Sequence, residues 1–413
     1  MKVILLTQYF PPEVGAPQNR LFATAQALRK KGAEITVLTA MPNYPDMRVH
    51  DGYRGRWKVE EELNGLSVLR SWIFVSRSRS IIARLFNYFS FVFSSLVVGL
   101  FNLKKSDVLF VESPPLFLGI TAMWLARSKG AKLVFNVSDL WPESAVQLGL
   151  VTNRTLIGLS TRLEMRCYRK SALITGQTQG IVADIQKRCP DKRVVWIPNG
   201  VDFSAMEAFE RDGSPVKNAA IPAGKLVFAY AGIMGHAQGL EVILRAAVRV
   251  KDADVHFLFI GAGPELARLK ALAAELRIPN AHFIDKMPRA DLVNMLRSVD
   301  GVVVPLKNNE LFKGAIPSKI FEALALSKPI LLGVEGEAKR LFIDGGKAGL
   351  AFAPEDDADL ARQVMRYAHD PALMVTHGNN GSRYAKANFD REAISARLWS
   401  ELEALFAQRS LNG

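Results

Sequence analysis

Cysteine is scarce in this sequence of 413 residues, and its first residues lack the long apolar segment of a secretory signal. The two cysteines, Cys167 and Cys189, have no spacing typical of a metal site, which favours a reducing, cytoplasmic setting. The chain begins MKVILLTQYFPPE, in which the apolar run is too short for a signal peptide. A buried first strand is expected there instead.

Acidic residues are absent from positions 63–106. The basic residues of this stretch are Arg70, Arg77, Arg79, Arg84, Lys104 and Lys105. Residues 1–210 carry 27 Lys and Arg against 17 Asp and Glu, a net charge of +10, which leaves +3 of the total +13 for the remainder. This asymmetry favours a polyanionic partner: nucleic acid, an anionic membrane surface or phosphorylated small molecules. RNA-binding signatures and recognition-helix motifs are lacking, so nucleic acid is not expected.

The length and the composition indicate two globular domains. A single core rarely extends over 413 residues, and 49% hydrophobic with 23% charged residues is typical of a folded protein. Gly, Pro and Ala are frequent at 211–224, which is predicted to link a first domain at 1–210 to a second at 225–391. A C-terminal helix at about 392–409 is expected to pack back on the first domain.

Apolar, strand-like runs alternate with helical patterns in both predicted domains, which is typical of a doubly wound α/β fold with a parallel sheet. In the first domain, strands are predicted at 2–6, 34–39, 108–112, 132–136 and 173–176, and helices at 19–31 and 156–170. In the second, strands are predicted at 226–231, 255–260, 281–284 and 301–305, and helices at 239–250, 265–276 and 289–298. Two such sheets facing each other would form a cleft along their strand C-termini, where ligands bind in open α/β sheets.

Four motifs follow one another along the chain: YFPPEVGAP at 9–17, IPNGVDF at 197–203, GAGPE at 261–265 and PSKIFEALALSKPIL at 317–331. As an ordered set that extends over essentially the whole chain, they resemble the family-4 retaining glycosyltransferases. The resemblance implies the GT-B fold, in which two Rossmann-like domains with parallel sheets face each other across a cleft. GAGPE alone could indicate dinucleotide binding, but Leu266 occupies the third glycine position of that fingerprint.

Glu322 lies just inside a predicted helix and is a candidate for holding a nucleotide sugar. A carboxylate can accept hydrogen bonds from both ribose hydroxyls, and the first N–H groups of a helix complement phosphates. By the resemblance, Glu322 matches the second Glu of the family's Glu-x7-Glu motif, which holds the donor ribose; the alternative is a solvated helix glutamate. Gly314 replaces the first Glu, which in the family contacts the donor hexose. Either Glu310 substitutes for it, or the backbone of 313–316 contacts the sugar.

The cations that neutralise the leaving diphosphate in this family are also altered. In the aligned stretch AGIMGHAQGL, Ile233 takes the place of the family's Arg and Gln238 that of its Lys. Charge that develops on a departing diphosphate needs donors or cations already in position. Lys319 and Lys313, helped by the backbone amides of 232–235, are the hypothesised replacements.

Gly15 precedes a predicted helix, where it either lets backbone N–H groups approach an anion or only permits a turn. The complete set predicted to bind the donor is Gly15, Gly232, Gly235, Gln238, Gly261, Gly263, Lys313, Gly314, Ala315, Ile316, Pro317, Ser318 and Glu322. The predicted catalytic residues are Asp139, Lys319 and Glu322.

Two loops of the first domain are predicted to lie on the acceptor side. NVSDLWPESAVQLG, at 136–149, follows a buried strand, and its Asp139 and Glu143 flank Trp141. Paired acids near a sugar can act as a base or orient hydroxyls. Asp139 stands about where many family members have a histidine; alternatively it caps the following turn. In the loop MPNYPDMRV, Tyr44 either stacks on a sugar ring or only shapes the loop.

The stretch SIIARLFNYFSFVFSSLVVGLFNLKKSD, at 80–107, is the most apolar of the chain. Its length is borderline for a membrane span, but its interior polar residues count against one. They fall on one narrow helical stripe, formed by Arg84, Asn87, Ser94 and Asn102. The helix at 81–103 is expected to pack in the core, to lie in the membrane interface with its basic flanks on anionic headgroups, or to do both in part.

The resemblance, taken with these features, implies a metal-independent, retaining hexosyl- or N-acetylhexosaminyltransferase. The substrates that it implies are a UDP-linked sugar and a polyprenyl-diphosphate-linked saccharide of bacterial surface-polysaccharide assembly, at the cytoplasmic face of the plasma membrane. Attack from the face of the departing diphosphate needs no enzymatic nucleophile, and no DxD-type metal motif lies near the nucleotide loops of the second domain, so neither metal nor cofactor is expected. A nucleotide-sugar epimerase or hydrolase stays open as an alternative. So does a non-catalytic member, because of Gly314, Ile233 and Gln238.

Overall fold

The structure, a computed structural model, describes residues 1–13, 15–44, 47–76, 78, 81–147, 151–206 and 224–407. The chain divides into two compact units. Unit 1 combines Met1–Asn199 with Glu392–Gly413, and unit 2 is Gly200–Arg391. All but the last residue of the linker predicted at 211–224 lies outside the described residues.

Unit 1 is built on an eight-stranded sheet in the order β3-β4-β2-β1-β5-β6-β7-β8. Neighbouring strands are parallel, except that β3 and β4 form an antiparallel hairpin at one edge. The strands are β1 (Lys2–Leu6), β2 (Glu34–Ala40), β3 (Lys58–Leu63), β4 (Leu66–Ser71), β5 (Val108–Ser113), β6 (Lys132–Val137), β7 (Leu173–Gly176) and β8 (Val194–Trp196).

Both faces of this sheet are buried along its central strands. Along β1, Val3 and Leu5 belong to one hydrophobic cluster, and Ile4 and Leu6 belong to another. A parallel strand covered on both faces is a continuous apolar run, which is why KVILL is recognisable in the sequence. The helices that follow these strands are α1 (Ala16–Lys30), α2 (Ile81–Asn102), α3 (Leu118–Lys129), α4 (Glu143–Gln147), α5 (Arg154–Lys170) and α6 (Gln179–Arg188).

Unit 2 has a six-stranded sheet in the order β11-β10-β9-β12-β13-β14, with every neighbouring pair parallel. Its strands are β9 (Leu226–Ala231), β10 (Val255–Ile260), β11 (Ala281–Ile284), β12 (Gly301–Pro305), β13 (Ile330–Gly333) and β14 (Gly349–Ala351). Its α-helices are α7 (Glu241–Arg249), α8 (Leu266–Glu275), α9 (Arg289–Arg297), α10 (Lys319–Ala325), α11 (Asp357–His369) and α12 (Pro371–Phe389). Tighter or wider turns occur at His236–Gln238 and Glu310–Gly314 (3-10) and at Lys339–Gly345 (π).

The last helix, α13 (Arg391–Ala407), follows unit 2 in sequence but packs in unit 1. Its Leu398, Leu402 and Leu405 are buried in the hydrophobic cluster that contains Val3 and Leu5 of β1. The helix therefore completes the cover of one face of the first sheet.

The predicted parallel α/β architecture is observed in both units. The predicted limits of β1, β7, β9, β10, β11 and β12 agree with the structure residue for residue. The helix predicted at 19–31 begins earlier, at Ala16, because Pro17 in its first turn is compatible with a helix start. The hairpin of β3 and β4 is not predicted, because KVEEEL alternates exposed charges with half-buried residues and carries little apolar signal.

The order of strands reverses once in each sheet, between β1 and β5 in unit 1 and between β9 and β12 in unit 2. Loops that leave the two strands at such a point run in opposite directions and open a crevice at the carboxyl edge of the sheet. Ligands of open α/β sheets bind in this crevice. The two candidate binding edges of the molecule therefore lie at these reversals.

Candidate functional site

The crevice of unit 2 is bordered by the loops that follow β9 and β12. A backbone hydrogen bond joins them, from the Lys307 N–H to the Ala237 carbonyl at 2.9 Å. The loop after β12 continues through the 3-10 turn into α10, which begins at Lys319. The topology therefore places the start of the motif at 317–331 at the carboxyl edge of the sheet.

Lys319 reaches from the start of α10 to the end of β9. Its Nζ lies 3.7 Å from the centroid of the Tyr230 ring, and a Cβ built on Gly232 would lie 3.5 Å from the same Nζ. Burial lowers the pKa of Lys319 to about 7, and the nearby Glu322 carboxylate opposes this shift. The Tyr230 hydroxyl donates to the Ile233 carbonyl at 2.6 Å, which fixes the ring beneath the ammonium. A titratable cation thus stands at the strand-order reversal.

Glu322 lies in the first turn of α10, as predicted, with buried Ile320, Phe321 and Leu324 around it. Its side chain is 36% exposed, and its Oε1 lies 3.4 Å from an Nη of Arg289, the first residue of α9. The carboxylate is accessible and paired with a cation across the crevice edge. Arg289 is not recognisable in the sequence as a site residue, since its only signal is a position at the start of a helix after a strand.

Three of the four backbone amides proposed to assist Lys319 are already engaged within the protein. The N–H groups of Gly232 and Met234 donate to the carbonyls of Ile260 and Ala262, both at 2.9 Å. The Gly235 N–H donates to the Gln238 Oε1 at 3.1 Å. The expected help from the amides of 232–235 is therefore wrong for these three in this structure. Gln238, in the place of the family's Lys, caps its own turn.

Gly261 and Gly263 are required by packing between two loops of the same unit. A Cβ on Gly261 would collide with the Gly232 carbonyl, and a Cβ on Gly263 would collide with the Met234 backbone. Gly261 also has a φ of +137°, which side chains rarely adopt. This close approach explains both glycines without a ligand, and their binding of the donor stays a prediction.

The turn at Glu310–Gly314 carries the altered half of the Glu-x7-Glu motif. Lys313 Nζ pairs with Glu310 Oε1 at 2.6 Å, so the acid considered as a substitute for the missing Glu is held by its own turn. Gly314 is exposed, and no atom of the described chain lies within 4 Å of the place where its Cβ would be. A side chain at this position would therefore meet no obstruction. The remaining predicted contacts, all half-buried, are Ala315, Ile316, Pro317 and Ser318.

In unit 1 the loop that carries Tyr44 is held by the buried carboxylate of Glu13, a residue with no role predicted from the sequence. Glu13 Oε1 accepts the N–H groups of Asn43 and Tyr44 at 2.7 and 2.8 Å, and its Oε2 accepts that of Phe10 at 3.2 Å. Burial raises the pKa of Glu13, and the three N–H groups partly offset the rise. Gly15 follows as the residue before α1, in extended conformation.

Asp139 and Trp141 leave β6 at the same edge of unit 1. Burial raises the pKa of Asp139, with a partial offset from the Leu140 backbone N–H. The Trp141 ring packs edge-on against Phe117, with centroids 5.3 Å apart. Glu143, by contrast, is an exposed residue at the start of α4. A carboxyl group with a raised pKa holds its proton to a higher pH than an ordinary aspartate does, which favours a role in orienting or protonating a nearby hydroxyl.

A polar network beneath this edge ties β5, β6 and α1 together. Glu112, 4% exposed, accepts from Arg20 and Asn136, both at 2.5 Å, and also from Ser138. Thr175 of β7 donates to the Asn136 Oδ1 at 2.7 Å. The network fixes Ser138 and hence the backbone that enters Asp139.

Two family models match the chain. The model of a glycosyl transferase 4-like domain matches residues 15–200, and the model of glycosyl transferases group 1 matches residues 216–384. Together they extend over most of the sequence, and each match ends close to a boundary between the two units.

Relatives extend over the full length of the chain. WcaI of Escherichia coli (strain K12), named for glycosyl transfer in colanic acid biosynthesis, is 23% identical over 97% of this chain and 100% of its own. Sucrose-phosphate synthase from Thermosynechococcus elongatus has a TM-score of 0.74 at 16% identity, over 98% of this chain and 99% of that one. HepE from Anabaena, solved with UDP and glucose, has a TM-score of 0.68 at 16% identity, over 98% and 99%. Likeness at these identities shows the fold, and it confirms the predicted GT-B class.

Proposed function

Because this chain belongs to the family-4 glycosyltransferases, a group with members in bacterial polysaccharide biosynthesis, we propose that it transfers a sugar with retention from a UDP-sugar to a lipid-linked saccharide. The observation that carries the proposal is that Lys319 and Glu322 lie together on one short helix at the strand-order reversal of unit 2. HepE, which shares the fold, binds UDP and glucose. The donor is therefore proposed to be UDP-linked.

Glu322 would hold the ribose and Lys319 the diphosphate. A carboxylate can accept two vicinal hydroxyl hydrogen bonds, and Arg289, 3.4 Å away, would hold the Glu322 side chain in place. Departure of the diphosphate breaks the bond between the sugar C1 and the phosphate oxygen and leaves charge on that oxygen. The Lys319 ammonium, beside the loop after β9, would offset this charge.

The acceptor hydroxyl would attack C1 from the face that the diphosphate leaves. Its oxygen forms the new bond to C1, and its proton passes to the departing phosphate oxygen, so no covalent intermediate with the enzyme is needed. Asp139, whose pKa is raised by burial, is proposed to orient this hydroxyl. No metal or cofactor is proposed, since Lys319 can supply the positive charge.

The acceptor is proposed to be a polyprenyl-diphosphate-linked saccharide. WcaI is named for the biosynthesis of colanic acid, a polysaccharide, and the basic first half of the chain suits an anionic membrane surface. The protein would act in the cytoplasm, at the inner face of the plasma membrane.

The Glu322→Ala variant tests the donor site. A thermal-shift screen of nucleotide sugars should find one UDP-sugar that stabilises the wild-type protein, and Glu322→Ala should lower its affinity about tenfold or more. Glu335→Ala is the matched control, because Glu335 is similarly exposed (40%) and is paired with Lys339 at 3.1 Å. Equal binding by Glu322→Ala and wild type would reject the donor site.

Analysis of the reaction products separates the proposed transferase from its alternatives. A transferase lengthens the saccharide acceptor, an epimerase yields a new nucleotide sugar, and a hydrolase releases free sugar only. A protein that binds UDP-sugars but forms none of these products would be non-catalytic.

A further inference from the structure

Helix α2 has the polarity of its faces reversed relative to a helix on the surface of a water-soluble protein. Polar side chains in the middle of the helix point inward: Asn87 accepts from Gln8 at 2.9 Å and donates to the Phe74 carbonyl at 2.7 Å, and Ser94 bonds Ser71 at 3.1 Å. Its outward residues are Phe86 (63% exposed), Phe89 (44%), Phe93 (62%), Leu100 (39%) and Phe101 (84%). A helix that faces water carries the opposite arrangement. The arrangement of α2 therefore suits an apolar environment outside the protein.

Aromatic residues from the neighbouring strands extend this outer face. Trp57 stacks on Trp72 with centroids 5.9 Å apart and meets Phe93 at 6.5 Å, and Phe74 meets Phe86 at 6.2 Å. These five residues, each between 37% and 63% exposed, are called the outer aromatic surface. Monomeric proteins in water rarely expose so large an apolar group, which points to a partner surface.

The charges around the outer aromatic surface identify the partner. No acidic residue occurs at 63–106, and Lys104 and Lys105 are exposed directly after α2. Lys58 binds Asn102 Oδ1 at the same end of the helix, at 2.7 Å, and also pairs with Glu60 at 2.8 Å. Tryptophan rings favour the interface of a lipid bilayer, and lysines favour its anionic headgroups.

The packing of α2 favours an orientation in the membrane plane over a span. The window Leu85–Asn102 is apolar enough to cross a membrane, but 39% of it is buried inside the protein. Phe91 and Val98 belong to the core cluster that contains Leu38 and Leu109. Insertion across the bilayer would withdraw α2 from this cluster and expose to water the apolar core residues that it covers, which would destabilise unit 1.

A row of rings leads from this face to the acceptor edge of unit 1. The Phe89 ring lies 4.8 Å from that of Phe117, and the Phe117 ring lies 5.3 Å from that of Trp141, two residues after Asp139. We propose that the outer aromatic surface docks on an anionic lipid bilayer with α2 in the membrane plane. The row of Phe89, Phe117 and Trp141 would then guide the lipid part of the acceptor toward Asp139. This guiding role rests on the proposed function.

Sedimentation with vesicles tests the docking. Vesicles of phosphatidylcholine and phosphatidylglycerol would be mixed with wild-type protein, with the Phe86→Ser/Phe93→Ser variant and with a control carrying Leu159→Ser and Val375→Ser. The control residues are exposed to a similar extent (54% and 61%) but lie elsewhere. The Phe86/Phe93 variant should lose about tenfold or more of its partitioning, because each phenylalanine contributes buried apolar area, and the control should bind as wild type does.

Charge and acceptor length supply two further readouts. Lys104→Glu/Lys105→Glu should lose about fivefold per lysine on anionic vesicles and nothing on pure phosphatidylcholine. Phe89→Ala should raise the KM of a polyprenyl-linked acceptor at least fivefold, and leave unchanged the KM of the same saccharide on a short water-soluble chain. Equal KM changes for the two acceptors would overturn the guiding role.

Vesicle binding that is unaffected by the Phe86/Phe93 substitutions, or equally weakened in the control, would overturn the docking. The docking would also be overturned if the wild type did not bind vesicles and the Phe86/Phe93 variant differed from it in oligomeric state. That result would mean that a second copy of the chain covers the surface. Donor hydrolysis is measured in parallel. If the wild type showed no donor hydrolysis, the result would count against the proposed function alone, because vesicle binding does not depend on hydrolysis.

Discussion

Lys319 is subject to opposing influences on its charge. Burial lowers its pKa to about 7, whereas the Glu322 carboxylate favours the ammonium form. The Tyr230 ring, 3.7 Å from Nζ, also favours the ammonium through its negative face. A lysine of this kind is partly neutral at pH 7. A diphosphate placed beside it would draw a proton onto it.

Binding of UDP is therefore expected to be coupled to proton uptake at alkaline pH. At about pH 8.5 Lys319 is largely neutral in the free protein, so UDP binding should take up close to one proton. At about pH 6 Lys319 is already charged, so it should contribute almost no proton uptake. Calorimetry in two buffers of different ionisation enthalpy measures the uptake. The Lys319→Met variant should lack this component, and Lys339→Met is the control.

The same pKa shift affects folding. Between pH 7 and 10.5, the unfolded chain carries a proton on Lys319 that the folded chain does not. The contribution of this residue to the free energy of unfolding therefore rises with pH across that window.

The calorimetric comparison also decides the role of Lys319 in binding. If wild type and Lys319→Met took up the same number of protons with UDP at pH 8.5, the assignment of Lys319 to the diphosphate would be wrong.

At the scale of elements, the loops of unit 1 are positioned by buried side chains rather than by their own turns. Arg70 of β4 is fully buried and donates to the Pro11 carbonyl at 2.5 Å and to the Ala40 carbonyl at 3.3 Å. The Glu13 carboxylate in turn accepts the backbone N–H groups of Asn43 and Tyr44. These bonds connect the loop after β1 to the loop after β2, so a substitution in one is transmitted to the other.

Glu13→Gln should displace the loop that carries Tyr44. The amide would keep one accepting oxygen but would present an NH2 group to a backbone N–H, which leaves a buried donor without its partner. We expect a loss of about 1–3 kcal/mol in the free energy of unfolding of unit 1. We also expect a higher KM for the acceptor with unchanged donor hydrolysis.

Urea unfolding and steady-state kinetics measure these two effects. Glu34→Gln is the control, because Glu34 is exposed and its nearest cation, Lys2, is 3.7 Å away. An unchanged acceptor KM in a Glu13→Gln protein of lowered stability would limit Glu13 to a structural role.

On the scale of the whole molecule, the tryptophans report on one unit only. All six lie at positions of unit 1, namely 57, 72, 124, 141, 196 and 399. Their fluorescence therefore follows the unfolding of unit 1 even when unit 2 unfolds at another denaturant concentration, a case in which a single two-state transition does not apply.

Leu402→Ala should destabilise unit 1, although residue 402 follows the whole of unit 2 in sequence. Leu402 is fully buried in the cluster that contains Val3 and Leu5, and truncating a buried leucine costs about 2–5 kcal/mol. The midpoint of urea unfolding, followed by tryptophan fluorescence, should fall accordingly. The exposed Leu159→Ala serves as the control, and an equal midpoint for the two variants would show that α13 does not stabilise unit 1.

Much of the fold was predictable because its signals are local. A strand buried on both faces, such as KVILL, is a continuous apolar run, and the short helix that carries Glu322 follows a proline. The hairpin of β3 and β4 was not predictable, since an edge strand with three glutamates lacks that signal. Arg289 and Tyr230 could not be assigned to the site either. Their contacts with Glu322 and Lys319 join residues at least 30 positions apart.

The sequence by itself determined the alternation of strands and helices, the order of the four motifs and the apolar character of α2, because each depends on neighbours along the chain. Only the tertiary structure decided that the Gly235 amide is taken by Gln238, that Lys319 lies over Tyr230, and that α2 turns Asn87 and Ser94 inward. Which groups meet is set by the order and register of strands. That order brings together side chains whose separation in sequence carries no periodic signal.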